Sequence, residues 1–266
     1  DRCRPDYAIK LLERVKHIFD VNGLVFIIAT DTSQLQHSIK VIYGSEFDSE
    51  SYLSRFFDRR YHLRQSSYLD LVNDQLRDTG IESKLSMVPG YQEPTRFLSD
   101  VAQAMGLSTR ELEQCIAKLI DFVLMWPHKA LVECAYAWPL IVLLHKDQSV
   151  LSPEKVAANS VQGSALIGLL TSISIPFVVH DSNGRLQRSA ASLREVFIAF
   201  HDVRKMDFNE IQKVFNVERG GLKDWIGDRL SDELQRIHKG SYISGSPPKT
   251  VLSGYIQHAR SLDGFS

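Results

Sequence analysis

No stretch of the 266 residues spells G-x-x-x-x-G-K-[ST], so the sequence lacks the glycine-rich loop whose backbone N–H groups cradle nucleotide phosphates. It also lacks a G-x-S-x-G elbow and a Cys-x-x-Cys pair. The nine histidines (His17, His37, His62, His128, His145, His180, His201, His238, His258) show no metal-ligand spacing among themselves or with cysteine. Cysteine is scarce and odd in number: Cys3, Cys115 and Cys134 read as reduced thiols of a cytoplasmic protein rather than a disulfide frame. A net charge of −1 excludes a general electrostatic attraction to nucleic acid or anionic membranes. There is no secretory leader pattern. The most apolar region, Leu119 to Leu144, is interrupted by Asp121, His128, Lys129, Glu133 and two prolines, so it reads as core helices and not as a membrane span. No internal repeat or low-complexity tract occurs.

What is present is ordinary core-forming material: 44% hydrophobic and 24% charged residues over a length that accommodates one to two domains. Ala8, Leu11, Leu12, Val15, Ile18 and Phe19 recur at helical spacing, with Pro5 in the first turn and Asn22-Gly23 as a stop. Leu24 to Ala29 is a continuous apolar run, the pattern of a strand buried on both faces of a parallel sheet. Asp31 and Thr32 then start a helix carrying Leu35, Ile39 and Ile42 up to Gly44. One central strand cannot bury itself, so its sheet partners are expected upstream of Asp1 or in another chain.

Beyond Gly44 the pattern turns helical. Tyr52, Leu53, Phe56 and Phe57 mark a short amphipathic helix, followed by an expected short strand over 59–63. Helices are expected over 66–77 and 94–105, the second ended by Gly106. Ser108-Thr109-Arg110-Glu111 has the form of a capping box, opening a helix with Leu112, Ile116, Leu119, Ile120 and Val123 inward. Helices from about Lys129 to Lys146 complete that unit. A third segment begins with a cap at Leu151-Ser152-Pro153-Glu154. Helices are expected near 153–171, 192–204, 207–216 and 221–238, with a hairpin turning at Asp181-Ser182-Asn183-Gly184. Residues 240–248 read as a linker, and Val251, Leu252, Tyr255, Ile256 and Ala259 mark a last helix.

Asp1-Arg2-Cys3-Arg4-Pro5-Asp6, with the helix, apolar strand and Thr30-Asp31 that follow, resembles the stretch just after the Walker B strand of KAP-type P-loop NTPases. There an acidic strand end continues as Asp-Glu-Leu-Asp-Arg-Cys, and this chain opens, without Met, on the last three of those residues. The resemblance implies the back half of such an ATPase: a predominantly α protein with a small α/β part. A partial P-loop NTPase core of strand–helix units (1–65) would precede a helical lid (66–147) and a helical C-terminal region (148–266). It further implies ATP and Mg²⁺ as cofactors of the intact parent, with none tightly bound to this part alone. It implies ATP-driven conformational change in signalling or phage defence, and nucleotide as a partner together with the missing N-terminal half. A homo-oligomer or protein partner is expected, and membrane association only through upstream sequence.

Site residues follow from the same resemblance. Thr30 and Asp31 lie at a strand end, where open α/β sheets place ligands. In related ATPases this is the sensor that aligns the attacking water, although Asp31 equally caps the next helix. Arg55 sits near the position of an arginine finger, a fixed cation supplied against the developing phosphoryl charge from a neighbouring subunit; Arg59 or Arg60 could serve instead. Arg110, in the first turn of its helix against the dipole, corresponds to the lid arginine that reaches back to the phosphates. Asp1 and Arg2 adjoin the Walker B position, to buttress the site or bind a neighbour.

Two other readings compete. Val101 to Leu112 also has the helix, glycine turn, capped helix form of a helix-turn-helix, with Thr109, Arg110, Glu113 and Gln114 toward a major groove. Glu111, Glu113 and Asp121 deprive that helix of the cations that phosphate contacts need. The other is a non-catalytic module whose helices bind a partner protein.

Overall fold

The computed structural model describes residues 4–16, 18, 23, 25–57, 59–62, 66–128, 130–151, 164–180, 183–204, 206–215, 221–238 and 250–262. The chain divides into two compact units, residues 1–65 and 66–266. Twelve α-helices and one two-stranded antiparallel sheet among the described residues make the protein mostly helical.

The first unit holds α1 (Pro5–Lys16), α2 (Thr32–Tyr43) and α3 (Ser49–Ser54). Asp31 starts α2 by accepting the Gln34 N–H at 3.1 Å, and Gly44 ends it with φ 103°, a value that glycine adopts without strain. Asp48 caps α3 in the same way, accepting from the Ser51 N–H at 3.0 Å. Ile9 and Leu12 of α1, Leu35 and Ile39 of α2, and Leu53 and Phe56 at α3 form a small core. Beside it the hydroxyls of Tyr43 and Tyr52 donate to the Glu13 carboxylate at 3.3 and 2.8 Å. Burial, then the bond to Glu13, pushes the Tyr52 phenol above its ordinary range.

Two sequence expectations are corrected in this unit. The apolar run expected as a strand over 24–29 is not strand at residues 25–30, and Leu24 lies outside the described residues. Val25 is 88% and Ile27 94% exposed. A strand exists only through a neighbour's N–H and C=O groups, and among its described residues this unit contains no strand to supply them. For the same reason residues 59–62 are not strand; Leu63 lies outside the described residues.

In the second unit α4 (Tyr68–Leu76), α5 (Pro94–Ala104), α6 (Thr109–Leu124) and α7 (Cys134–Lys146) come first. The capping box at α6 is formed: Glu111 N–H donates to the Ser108 hydroxyl, and Ser108 N–H to the Glu111 carboxylate at 2.7 Å. The expected helices from about 129 to 146 are realised as α7, which runs through Pro139. A proline there removes one helical donor, and burial of Cys134 to Leu144 on every side outweighs that loss. Trp138, fully buried, donates its indole N–H to the Leu98 carbonyl at 3.1 Å.

After a 3₁₀ turn at Gln148–Leu151 the described chain resumes with α8 (Ala165–Gly168), which tightens into 3₁₀ through Ser172. Of the helix expected near 153–171, residues 153–163 lie outside the described residues, as do the cap at 152–154 and the linker at 240–248. β1 (Ser174–His180) and β2 (Leu186–Ser192) pair antiparallel as the expected hairpin requires, in a register pairing Ser174 with Ser192 and His180 with Leu186, while Asp181 and Ser182 of the expected turn lie outside the described residues. Ile175, Phe177 and Val179 point into the core from alternate positions. Ser192 and Glu195 make a second capping box at α9 (Leu193–Val203), and the backbone N–H groups of Asp207 and Glu210 each donate to the other's carboxylate at 2.9 Å where α10 (Phe208–Phe215) begins. α11 (Leu222–His238) and, after a 3₁₀ turn, α12 (Tyr255–Ser261) follow. One core runs from Val72 to Ala259, with residues on both sides of position 147. Among the described residues no helix is long and apolar enough to cross a membrane.

Candidate functional site

Thr30 and Asp31 lie at the exposed end of the run 25–30, immediately before α2. One Asp31 oxygen is engaged in capping Gln34. Arg55 follows α3 as its C-cap, its N–H reaching the Tyr52 carbonyl at 3.3 Å. Its side chain is exposed and makes no ion pair among the described residues. Arg59 and Arg60 are exposed as well, and the Arg60 guanidinium lies 6.0 Å over the Phe57 ring. Beside α3 is a cleft of about 560 Å³ lined by Asp48, Glu50, Ser51, Ser54, Phe57 and Arg60. Among the described residues no hydrogen bond or ion pair joins Thr30 or Asp31 to Arg55. Asp1 and Arg2 lie outside the described residues.

Arg110 belongs to the second unit. It is exposed in the first turn of α6, between the capping residues Ser108 and Glu111. The Lys146 ammonium donates to Glu111 at 2.9 Å and lies 3.5 Å from the Gly106 carbonyl, so a cation from the end of α7 ties down the turn that carries Arg110. This tie spans 35 positions and no local pattern announces it. The Lys146 bond first, then the Ser108 N–H and hydroxyl, lower the Glu111 carboxyl from its ordinary 4.5 to about 2.

A carboxyl held below its unfolded value stabilises the fold above that value and loses the contribution as pH falls through the folded value. We therefore expect Glu111→Gln to cost about 1 kcal/mol near neutrality, the usual worth of a cap. That difference should shrink as pH drops from 4.5 toward 2, measured by denaturant unfolding of both proteins across that range. A gap that stays constant with pH contradicts the assignment.

The remaining exposed face of α6 carries Glu113, Gln114, Ala117, Asp121 and Leu124 beside Arg110. Its net charge is negative, a poor match to DNA phosphates. Among the described residues no group of three or more His, Cys, Asp or Glu side chains could hold a metal ion. Arg55 in the first unit and Arg110 in the second are exposed cations, Thr30 and Asp31 are an exposed polar pair, and the sequence holds no G-x-x-x-x-G-K-[ST] loop. No curated protein matches this chain, and no solved structure matches it. Residues 1–78 do match a family model, that of the KAP family P-loop domain, and over this stretch the chain is similar to the P-loop NTPases of that family.

Proposed function

We propose that the chain supplies the part of a KAP-like P-loop ATPase that follows the Walker B strand, and that it turns ATP binding and hydrolysis into conformational change. The observation that carries this reading is the run Val25 to Ile28, apolar yet exposed, inside the stretch that matches the P-loop domain. Such a run is suited to the middle of a parallel sheet. In that sheet Thr30 and Asp31 stand at the strand end, facing the nucleotide. Arg55 supplies a positive charge to the transferring phosphoryl group and Arg110 contacts the phosphates from the helical lid. ATP and Mg²⁺ are held chiefly by a Walker A loop and Walker B acid that these 266 residues do not contain.

The test is a calorimetric titration with Mg·ATP. The 266-residue chain by itself is expected to show no micromolar binding. Joined to a segment bearing Walker A and Walker B elements it should bind in that range, and Arg110→Ala should raise Kd by about 10-fold, the effect of one charge-assisted hydrogen bond. Micromolar binding to the 266 residues alone overturns the proposal that the cradle lies elsewhere. Unchanged affinity and turnover in Arg110→Ala remove the lid role.

A further inference from the structure

We infer that the elements described between residues 66 and 262 act as one rigid arm, so that a displacement of α6 carries the hairpin and the C-terminal helices with it. The feature responsible is α7. Every residue from Cys134 to Leu144 is buried, Trp138 and Tyr136 completely. Elements preceding α7 in the chain, α5 and α6, cover part of it, and elements following it, α9 and α12, cover the rest. A hinge needs a place where few buried contacts cross, and α7 is packed from both directions.

Polar bonds repeat the connection. Arg229 of α11 grips both oxygens of Glu133 at 2.8 and 3.0 Å, donates to the Met87 carbonyl at 3.2 Å, and lies 5.2 Å over the Trp225 ring. The Glu133 N–H donates to the Tyr255 hydroxyl at 2.7 Å. Tyr136 and His201 Nδ1 share a hydrogen bond of 3.0 Å within the core, and His258 Nε2 lies 3.0 Å from the Phe122 carbonyl. Gly90, at φ 85°, adds a steric tie: a Cβ there would meet Pro176 Cγ at 2.7 Å, so this turn and β1 are seated without room between them. Residues 87, 90, 122, 133 and 136 are thus each joined to an element beyond position 147.

This deepens the ATPase reading, in which α6 carries the nucleotide-responsive arginine, but its test uses no nucleotide and fails or succeeds separately. The three tryptophans stand on both sides of position 147: Trp126 after α6, Trp138 in α7 and Trp225 in α11. With the whole chain labelled with 5-fluorotryptophan, ¹⁹F NMR through a urea titration should show all three native signals lost at one midpoint. Arg229→Met should move the three midpoints down together. Loss of the Trp225 signal at lower urea than that of Trp126, in the wild-type chain, overturns the inference, as does a variant that shifts the Trp225 midpoint alone.

Discussion

In hydrogen exchange on the 266-residue chain, the amides of Val25, Ile27 and Ile28 exchange at close to the rate of unstructured peptide, whereas those of Leu112 to Val123 exchange at least ~10³-fold more slowly. The contrast follows from what each amide donates to. Leu112 to Val123 lie within α6, whose inner face has Leu112, Cys115, Ile116, Leu119 and Phe122 wholly buried, so exchange there requires opening much of the unit. Opening a domain costs on the order of 5–15 kcal/mol, which sets the size of the difference. Residues 25–30 form no strand, and Val25 and Ile27 are almost fully exposed. Equal protection of both stretches in a monomer contradicts the reading that this run awaits a sheet. Protection of Val25 to Ile28 appearing only when a Walker-bearing segment is added supports it, since the run then acquires the neighbours that a buried strand needs.

Arg55→Ala, in a protein that carries the P-loop as well, is expected to leave nucleotide affinity within about threefold of wild type and to cut turnover by ~10³-fold or more, the usual effect of removing an arginine finger. An interaction made only in the transition state lowers turnover and spares the ground state. Arg55 suits this role because its guanidinium is exposed and has no carboxylate neutralising it among the described residues. Arg55→Lys should recover little, because a lysine presents a point charge in place of the planar fork. The measurements are steady-state phosphate release and nucleotide titration. Wild-type turnover from Arg55→Ala excludes the assignment, and a loss confined to Arg59→Ala or Arg60→Ala moves it along the same segment.

What could be read from sequence was whatever is settled within four or five residues. Asp31 before Gln34 and Ser108 with Glu111 are formed as expected, and Ser192 with Glu195 and Asp207 with Glu210 open the expected helices in the same way, because a cap needs only its own first turn. The hairpin between Ser174 and Ser192 likewise follows from alternation around one turn. The apolar run expected as a strand is not one at residues 25–30, because its pattern describes an environment, two flanking strands, that the pattern itself does not supply. Helices are expected from about Lys129 to Lys146, and the structure has one, which passes through Pro139 because the packing around Trp138 and Leu140 outweighs one missing hydrogen bond. Arg229 with Glu133, 96 positions apart, has no local signature at all. At the candidate site, the end of an apolar run and the first turn of a capped helix were visible as positions, whereas the Lys146 tie beside Arg110 arises only from the packing of α6 on α7.

The enclosure of α7 also bears on how the protein is made. Tyr255, which helps to close the core over α7, lies 122 positions beyond Glu133. At a synthesis rate of 5–20 residues per second, roughly 6–24 s separate the emergence of these two residues from the ribosome. Throughout that interval the nascent chain carries an apolar helix with part of its cover not yet synthesised. Such a segment is a natural substrate for chaperones, and a stalled or truncated product ending soon after Lys146 would be prone to aggregate. The same packing that joins α7 to elements on both sides of it in the chain therefore leaves the protein most exposed while it is being made.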